Sequence, residues 1–333
     1  MKVALVGATG IVGETVLRVL EERHIPIDSL GAFASRDRKA AVRFRGETLD
    51  VLETTAPALE GYDTVFFAGS EEASGAYAPR IAERGNVVID NSATYRLQAE
   101  LALLVPEVNA DALRADQRIF PVANCTAIVL CVALAPVRGV AGLRSVQVAT
   151  YQSVSGAGRA GIEELAAAEA AVLAATAEPE PKAFAAPIAR NVIPQIGTLG
   201  PDGYTTEETK VRAETRKILD LDALAMSVIA VRVPVRYAHS EAVFFETTRP
   251  TTLDALRAEF GRAAGIAFHA EGIVTPREVE GQDLVHVARL RAEDASGSRF
   301  SMWISGDQVR KGAATNGVQI LELLLLRGLV HAS

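Results

Sequence analysis

The chain has 333 residues, of which 49% are hydrophobic and 23% charged. At about 150 residues per domain this length predicts two domains with ordinary hydrophobic cores. The formal net charge of -7 leaves no basic surface excess for a nucleic acid. The apolar runs are far shorter than the ~20 residues of a membrane-spanning helix. We therefore expect a globular protein with neither a nucleic-acid nor a membrane partner.

The N-terminus and the cysteines bear on the cellular compartment. The first apolar run is interrupted at Gly7, too early for the apolar segment of a secretory signal. The two cysteines, Cys125 and Cys131, are too few for a disulfide framework and lack the neighbours of a zinc site. The sequence thus predicts a cytoplasmic protein without a metal ion, whose cysteines serve either packing or chemistry.

The first third of the chain alternates short apolar runs with helical periodicity. A strand is predicted over 3–6, and after a glycine turn a helix begins with apolar residues at helical spacing. Further strands are predicted over 30–34, 64–68 and 86–90, with a helix over 74–84. Such alternation is typical of a doubly wound parallel sheet, so a Rossmann-type domain is expected here.

From about residue 145 the pattern changes to longer strands, several of them alternating. Strands are predicted over 145–152, 227–235, 241–248, 284–292 and 299–304, and helices over 160–175, 207–219 and 253–264. This indicates a second α+β domain with a mixed or antiparallel sheet. Because the last amphipathic segment, 313–326, is expected to pack on the first domain, the predicted boundaries are 1–125 with 308–333, and 126–307.

The glycine turn after the first strand has the spacing Gly7-x-x-Gly10-x-x-Gly13. A turn of this kind lets a pyrophosphate approach the backbone at the positive end of the following helix. The residues expected to contact a dinucleotide are Gly7, Thr9, Gly10, Ile11 and Val12. The alternative is a tight turn without a ligand.

The end of the second predicted strand bears on the choice between NAD and NADP. NAD enzymes usually place an acidic residue there, on the ribose hydroxyls, whereas this strand is followed by Ser35, Arg36 and Arg38. A hydroxyl and cations suit a 2'-phosphate and favour NADP(H). Asp37 argues against this interpretation, and a solvated charged turn is the alternative.

Cys125 lies in a sequence that favours a reactive thiol. Asn124 precedes it and an apolar run follows, so Asn124 is expected to cap a helix whose first turn carries the thiol. A helix N-terminus stabilises a thiolate. Cys131 has apolar neighbours on both sides and is expected in the core. His239 lies between two predicted strands, and by itself it is better explained as a hydrogen-bonded polar side chain than as a base.

A series of short motifs runs in order along nearly the whole chain. They are Gly-Ala-Thr-Gly-x-Val-Gly at 7–13, Asp-Asn-Ser-Ala-Thr-Tyr-Arg at 90–96, Val-Pro-Glu-Val-Asn at 105–109, Asn-Cys-Thr at 124–126, Tyr-Gln-Ser-Val-Ser-Gly-Ala-Gly at 151–158, Asn-Val-Ile-Pro at 191–194, Glu-Glu-Thr-Lys at 207–210, Arg-Val-Pro at 232–234 with His239, and Gly-Asp-Gln-Val-Arg-Lys-Gly-Ala-Ala at 306–314. With these motifs the chain resembles the bacterial aspartate-semialdehyde dehydrogenase family. It departs from the family at Ala123, where proline is usual, and at Gly69-Ser70, which replaces a glycine pair.

The resemblance implies a fold like that of glyceraldehyde-3-phosphate dehydrogenase and an NADPH-dependent reductive dephosphorylation. The implied substrate is L-aspartyl 4-phosphate, which is reduced to the 4-semialdehyde through a cysteine thioester. The reaction belongs to lysine, threonine, methionine and diaminopimelate biosynthesis. The family also implies a homodimer with the sheet of the second domain at the interface.

The resemblance assigns a role to each candidate site residue. Cys125 is the nucleophile, His239 transfers protons, Gln152 orients the acyl group, Arg96 and Lys210 bind phosphate, Arg232 binds the α-carboxylate, Glu207 pairs with the α-ammonium, and Ser155, Gly156 and Gln308 contact the cofactor. Without the family, a surface ion pair would explain Glu207 and Lys210, and solvation would explain Arg96. Arg232 interrupts an apolar strand, where an unpaired charge is costly.

Two other functions remain open from the sequence. N-acetyl-γ-glutamyl-phosphate reductase uses the same thiol and hydride chemistry, but its substrate has an acylated amine, which Glu207 would not suit. A catalytically silent paralogue that only binds a nucleotide is disfavoured because Cys125 and His239 are both present.

Overall fold

The computed structural model describes residues 1–35 and 40–331 and divides into two units, Met1–Asn124 with Ala313–Ser333, and Cys125–Gly312. The boundaries expected from the sequence lie close to these. They assigned Cys125 and residues 308–312 to the first domain, whereas both belong to the second unit. Cys125 falls in the second unit because it begins a helix of that unit. Residues 308–312 follow its last strand, where the Asp307 carboxylate accepts from the amides of Val309 and Arg310 at 2.9 and 3.1 Å.

Thirteen strands are present in the described residues. They are β1 (Lys2–Val6), β2 (Ser29–Ala34), β3 (Ala41–Phe44), β4 (Glu47–Glu53), β5 (Thr64–Phe67), β6 (Val87–Asp90), β7 (Ile119–Pro121), β8 (Ser145–Gln152), β9 (Ala225–Arg232), β10 (His239–Glu246), β11 (Ile266–His269), β12 (Val285–Ala292) and β13 (Arg299–Gly306).

The described residues also form ten α-helices. They are α1 (Ile11–Glu22), α2 (Ala56–Leu59), α3 (Glu71–Glu83), α4 (Pro106–Asn109), α5 (Cys125–Ala141), α6 (Gly158–Leu173), α7 (Thr206–Leu219), α8 (Leu253–Phe260), α9 (Pro276–Val279) and α10 (Thr315–Leu326). None of the described helices is long and apolar enough to cross a membrane.

The first unit contains a seven-stranded sheet in the order β3-β4-β2-β1-β5-β6-β7. All neighbouring strands from β4 to β7 are parallel, which confirms the Rossmann-type fold. The edge strand β3 is antiparallel to β4, so the sheet is not wholly parallel as the sequence suggested. Arg45 and Gly46 join these two strands with positive φ angles of 50° and 81°, the conformation of a type I′ hairpin turn.

The last helix, α10, lies in the first unit. The Asn316 side-chain amide donates to the carbonyl oxygen of Leu104 at 2.9 Å. The guanidinium of Arg23, the C-cap of α1, pairs with both carboxylate oxygens of Glu322 in α10 at 2.8 and 2.7 Å. Helix α10 therefore belongs to the same Rossmann-type unit as the N-terminal strands and helices.

The second unit contains a mixed sheet in the order β11-β12-β13-β10-β8-β9. One face is covered by α5 and α7, and α5 is buried along most of its length. Strand β9 ends at Arg232, before Pro234, because proline has no amide hydrogen to continue the ladder. Strand β10 begins at His239, so His239 is the first residue of a strand and not part of a connecting loop as expected.

Candidate active site

A cavity of about 470 Å³ lies at the carboxyl ends of β1, β2 and β5 in the first unit. Its lining includes Gly7, Thr9, Gly10, Ser35, Gly69 and Ser70. This is the point where the strand order reverses, and ligands of doubly wound folds bind there. Ile11 and Val12 are the first residues of α1, whose N-terminus follows the turn. Arg36 and Arg38 lie outside the described residues.

The glycine turn has the geometry that a bound pyrophosphate requires. Gly7 has a φ of +83°, which side chains other than glycine rarely adopt. A Cβ at Gly13 would lie 2.2 Å from the carbonyl oxygen of Gly7, so α1 packs against the turn only because residue 13 has no side chain. The residues of this unit therefore fit the diphosphate of a dinucleotide at the start of α1.

Cys125 is the first residue of α5 and is partly exposed. Its Cβ faces Gly312, where an added Cβ would lie 2.9 Å away, so a larger residue there would displace the thiol. Cys131 is fully buried in the same helix, and burial raises the pKa of its thiol far above the ordinary value. The two cysteines thus differ as expected, one accessible and one in the core.

The imidazole of His239 faces this thiol. Its Nε2 lies 3.6 Å from the Sγ of Cys125, and its side chain is fully buried. On the other side of the ring, Nδ1 lies 3.1 Å from the Ser153 amide nitrogen and 3.0 Å from the Ser153 Oγ. Burial, and then the positive charge of Arg232, hold the pKa of His239 well below its usual value. His239 is therefore a neutral imidazole at neutral pH.

Arg232 ends β9 beside the same pair and is almost completely buried. Its Nη1 donates to the carbonyl oxygen of Ser153 at 2.6 Å. A Cβ at Gly156 would lie 2.8 Å from that Nη1 and 3.2 Å from the Cε1 of His239. Burial lowers the pKa of Arg232, and the negative charge of Glu207 opposes this shift. Gly156 therefore leaves room for both side chains.

Gln152 and Glu207 form the next part of the cluster. Gln152 ends β8, directly opposite Arg232 in the parallel register, and its Nε2 donates to the Glu207 Oε1 at 3.2 Å. Glu207 lies in the first turn of α7, which Thr205 begins with a capping box that includes Glu208. The carboxylate of Glu208 accepts from the Thr205 amide at the helix start and from the Ala230 amide in β9, whereas that of Glu207 accepts from Gln152.

Lys210 and Arg96 are the remaining candidates for anion binding. Lys210 is half-buried on α7, one turn after Glu207. Arg96 belongs to the first unit, where its Nη2 donates to the carbonyl oxygen of Asn91 at 2.8 Å. Within the second unit the structure therefore brings together Cys125, His239, Gln152, Arg232 and Glu207, and the phosphate-binding roles stay predictions.

Ser155 and Gln308 make a contact that the sequence did not suggest. The Gln308 Nε2 donates to the Ser155 Oγ, and the Ser155 Oγ lies 3.2 Å from the Ser153 Oγ. All three side chains are buried. Ser155 and Gln308 were expected to contact the cofactor, whereas Ser153 was given no role. Its position directly after Gln152, at the end of a strand, is the sequence signal that marks it.

Another residue without an assigned role is Glu241, two positions after His239 on the same face of β10. It is fully buried, and neither carboxylate oxygen has a hydrogen-bond partner among the described residues. Burial, and then the charge of Glu207, raise the pKa of Glu241 well above its ordinary value. Burial at this position therefore favours the protonated form of the Glu241 carboxyl group.

Two family models match the chain. The semialdehyde dehydrogenase NAD-binding domain matches residues 2–116, and the semialdehyde dehydrogenase dimerisation domain matches residues 134–311. The aspartate-semialdehyde dehydrogenase of Aquifex aeolicus (strain VF5) is 39% identical, with 99% of each chain covered. Aspartate-semialdehyde dehydrogenase 2 of Vibrio cholerae is 40% identical, with 97% of each chain covered.

Solved structures agree with these relatives. A crystal structure of aspartate semialdehyde dehydrogenase II from Vibrio cholerae, complexed with ASA, has a TM-score of 0.92 and 40% identity over 98% of both chains. A structure described as a probable aspartate-semialdehyde dehydrogenase from Pseudomonas aeruginosa has a TM-score of 0.90 and 31% identity over 98% of both chains. The resemblance inferred from the motifs is confirmed, and the chain belongs to the aspartate-semialdehyde dehydrogenase family.

Proposed function

We propose that this enzyme reduces L-aspartyl 4-phosphate to L-aspartate 4-semialdehyde and releases phosphate, with Cys125 as the covalent nucleophile. The observation that carries this proposal is the partly exposed Sγ of Cys125 at 3.6 Å from the Nε2 of a buried histidine. Arg232, Gln152 and Glu207 lie around that pair in the same unit. They supply a cation, an amide and a carboxylate for a substrate that is itself an amino acid.

The first step takes place at the thiolate of Cys125. The sulfur forms a bond to the acyl carbon, and the bond from that carbon to the phosphate oxygen breaks, so that phosphate leaves with the electron pair. The product is a thioester on Cys125. The start of α5 favours this step because the helix dipole stabilises the negative sulfur before attack.

The cofactor is NADP(H), and when bound it supplies the hydride for the reduction of the thioester carbon. The glycine turn at 7–13 is proposed to hold its diphosphate, and Ser35, Arg36 and Arg38 its 2'-phosphate. A charge-assisted contact of this kind is worth ~1.5 to 3 kcal/mol. Catalytic efficiency is therefore expected to be at least about tenfold higher with NADP than with NAD. Equal efficiency would mean that Asp37 faces the ribose.

His239 is proposed to hold its proton at Nε2, next to the sulfur. From this position it stabilises the oxygen that becomes negative when the thioester carbon is reduced. Collapse of that oxyanion breaks the carbon–sulfur bond, forms the aldehyde and returns the thiolate of Cys125. The same Nε2 faces the sulfur when it leaves, so this one N–H stabilises the negative oxygen first and the negative sulfur afterwards.

The α-carboxylate and the α-ammonium of the substrate are proposed to bind Arg232 and Glu207. A guanidinium grips a carboxylate in a bidentate fashion, and Glu207 supplies the opposite charge for the amine. Gln152, which already donates to Glu207, is proposed to orient the acyl group. Lys210 and Arg96 keep the phosphate role that the resemblance gives them.

A homodimer through the mixed sheet is proposed on the basis of its uncovered face. The dimerisation-domain match covers this sheet, and Ile229, Phe244 and Tyr151 expose 58%, 43% and 38% of their surface on one side of it. We expect Ile229→Asp to produce monomers in size-exclusion chromatography with light scattering. Leu173→Asp, at an exposed leucine that ends α6, is the matched control and leaves the dimer intact. A monomeric wild type would contradict the proposal.

The cytoplasm is proposed as the site of action because the reaction requires Cys125 as a free thiol. Reducing conditions keep such thiols available. No disulfide competes for it, since both cysteines are free.

The proposed activity is tested by phosphate-dependent oxidation of L-aspartate 4-semialdehyde with NADP, followed by NADPH absorbance. The control is the N-acetylated five-carbon semialdehyde, the substrate of the related reductase. Turnover of the aspartate aldehyde alone is expected, because an acylated amine has no charge for Glu207. Preference for the acylated aldehyde would replace the proposal with the reductase, and no turnover of either would favour a silent paralogue.

A further inference from the structure

Ser153 directs two hydrogen-bonding groups at the rear nitrogen of the His239 ring. Its amide nitrogen lies 3.1 Å and its Oγ 3.0 Å from Nδ1. Ser153 precedes a short 3-10 turn over Val154–Ala157 in the position of an N-cap, yet its hydroxyl makes no capping bond there. Serines in this position usually cap the turn that follows. This hydroxyl contacts the histidine instead.

A backbone amide fixes the orientation of the Gln308 side-chain amide, and with it the direction of the hydrogen bond from Gln308 to Ser155. The amide of Ala238 donates to the Gln308 Oε1 at 2.8 Å. A side-chain amide has its acceptor and its donors at different atoms, so this bond determines which end of Gln308 faces Ser155. The donating Nε2 therefore faces the Ser155 Oγ.

The hydroxyls of Ser155 and Ser153 continue the series of hydrogen bonds, with the same donor-to-acceptor direction, as far as His239. Because the Ser155 Oγ accepts from Gln308, its own proton is left for the Ser153 Oγ, 3.2 Å away. The Ser153 Oγ accepts this hydrogen bond, and the Ser153 hydroxyl proton is then directed to the Nδ1 of His239. Every member of this chain is at least nine-tenths buried, so water does not compete for these groups.

We propose that Gln308, Ser155 and Ser153 form a one-way hydrogen-bond chain that keeps the Nδ1 of His239 an acceptor and so places the ring proton on Nε2, facing the Cys125 sulfur. The backbone amide of Ser153 acts in the same sense, because its N–H lies 3.1 Å from Nδ1 and disfavours a proton on that nitrogen. These three are positioning residues, since they act on the sulfur through His239. The catalytic meaning of the chain rests on the proposed function.

The groups around His239 agree with a neutral ring of this tautomer. Arg232 donates to the Ser153 carbonyl oxygen at 2.6 Å, and its positive charge disfavours a second proton on the imidazole. Glu241 lies on the same strand face, and burial there favours its protonated form. With the ring proton on Nε2, the N–H faces the Sγ of Cys125, 3.6 Å away.

The tautomer is measured directly by long-range ¹⁵N–¹H correlation spectra of the whole enzyme labelled at histidine. His239→Asn identifies which signals belong to His239. The wild type is expected to show a proton on Nε2 and an unprotonated Nδ1 from about pH 6 to pH 8. A proton on Nδ1 would overturn the proposal. Since this measurement needs no substrate, its failure is distinct from a failure of the proposed reaction.

Gln308→Glu tests the direction of the chain. A carboxylate has the same shape but only accepts, so Ser155 is forced to donate to it, Ser153 to donate to Ser155, and His239 to donate from Nδ1. The proton of His239 is expected to move to Nδ1. The double variant Gln308→Glu with Ser155→Ala keeps the new charge but lacks the relay, and is expected to keep the proton on Nε2. Identical spectra of the single and the double variant would overturn the proposal.

Ser153→Ala provides a second test if Gln308→Glu does not fold. It removes the hydroxyl but keeps the amide and the carbonyl oxygen that Arg232 contacts. We expect kcat to fall about threefold to tenfold with an unchanged KM for the aldehyde, and Ser153→Thr to restore kcat. A kcat equal to that of the wild type in Ser153→Ala, or a change in KM alone, would contradict the proposal.

Discussion

The two candidate binding regions of this protein are built in different ways. At the turn over 7–13, the ligand-facing groups are mostly backbone, and they come from one continuous segment of chain between a strand and a helix. Around Cys125, the working groups are side chains from the ends of β8 and β9 and from the starts of β10, α5 and α7. The first region is open to solvent as a cavity, and the second is largely buried.

The two regions should therefore respond differently to substitution. A backbone site depends on the absence of side chains at a few glycines, so adding one carbon should disrupt it. A side-chain site depends on atoms that particular residues supply, so removing or replacing a functional group should disrupt it while the fold persists.

Replacing the nucleophile should have the largest effect. Cys125→Ala is expected to lower kcat by more than about 10³-fold, because no other group in the structure supplies the covalent step at that position. The matched control is Cys131→Ala in the same helix, which should cost about 1 kcal/mol of stability and leave kcat nearly unchanged. Steady-state kinetics and thermal melts measure both. A comparable loss of activity in two folded variants would contradict the role of Cys125.

The buried cation should be next in effect. Arg232→Lys keeps the charge but not the planar pair of donors, so the acyl carbon is no longer held against Cys125. A misplacement of ~1 Å costs about 10²-fold in rate, and kcat is expected to fall by that amount while the KM for the aldehyde rises.

Lys210→Ala is the comparison for Arg232→Lys. It should raise the KM for phosphate about tenfold or more and leave the KM for the aldehyde close to the wild-type value. Equal effects of the two variants on both substrates would show that the cations have been assigned to the wrong anions.

A single added carbon should disrupt the backbone site. Gly13→Ala places a Cβ 2.2 Å from the Gly7 carbonyl oxygen, so α1 must move away from the turn. We expect a lower melting temperature and at least about tenfold weaker NADPH binding by fluorescence titration, since the helix N-terminus then no longer meets the diphosphate. Gly61→Ala in the same unit is the control, because an added Cβ there would meet no atom within 4 Å and Gly61 does not line the cavity. Tight binding by Gly13→Ala would contradict this view of the turn.

The smallest expected effect concerns Glu241 and the pH dependence of stability. Its pKa is raised in the folded protein, so the stability it contributes is present below the carboxyl's ordinary pKa of 4.5 and is lost as pH rises above it. Relative to Glu241→Gln, the wild type is expected to lose up to about 1.4 kcal/mol per pH unit from pH 5 upward. Urea melts at several pH values measure this. A constant difference between the two proteins would mean that Glu241 is ionised in the fold.

Much of the first unit was evident from local sequence. The strand, glycine turn and helix at the start of the chain form from neighbouring residues, so periodicity and glycine spacing predicted them. The hairpin of β3 and β4 was missed because its exposed residues are largely polar and its pairing depends on a turn at Arg45 and Gly46. The strand starting at His239 was placed too late, because the ladder with Gly306 that extends it is not local.

Sequence alone predicted the two kinds of domain, the contrast between a cysteine at a helix start and one in the core and, through its motifs, the family. These follow from local periodicity and from residue types at short spacing. Which atoms meet depends on the packed fold: the 3.6 Å between Cys125 and His239 joins residues 114 positions apart. The packed fold also places Gln308, Ser155 and Ser153 in a row of contacts that ends at the Nδ1 of His239. The orientation of Gln308 in that row depends on a bond from the Ala238 amide, 70 positions earlier in the chain. Hydrogen-bond direction is a property of packed neighbours, and no spacing along the chain encodes it.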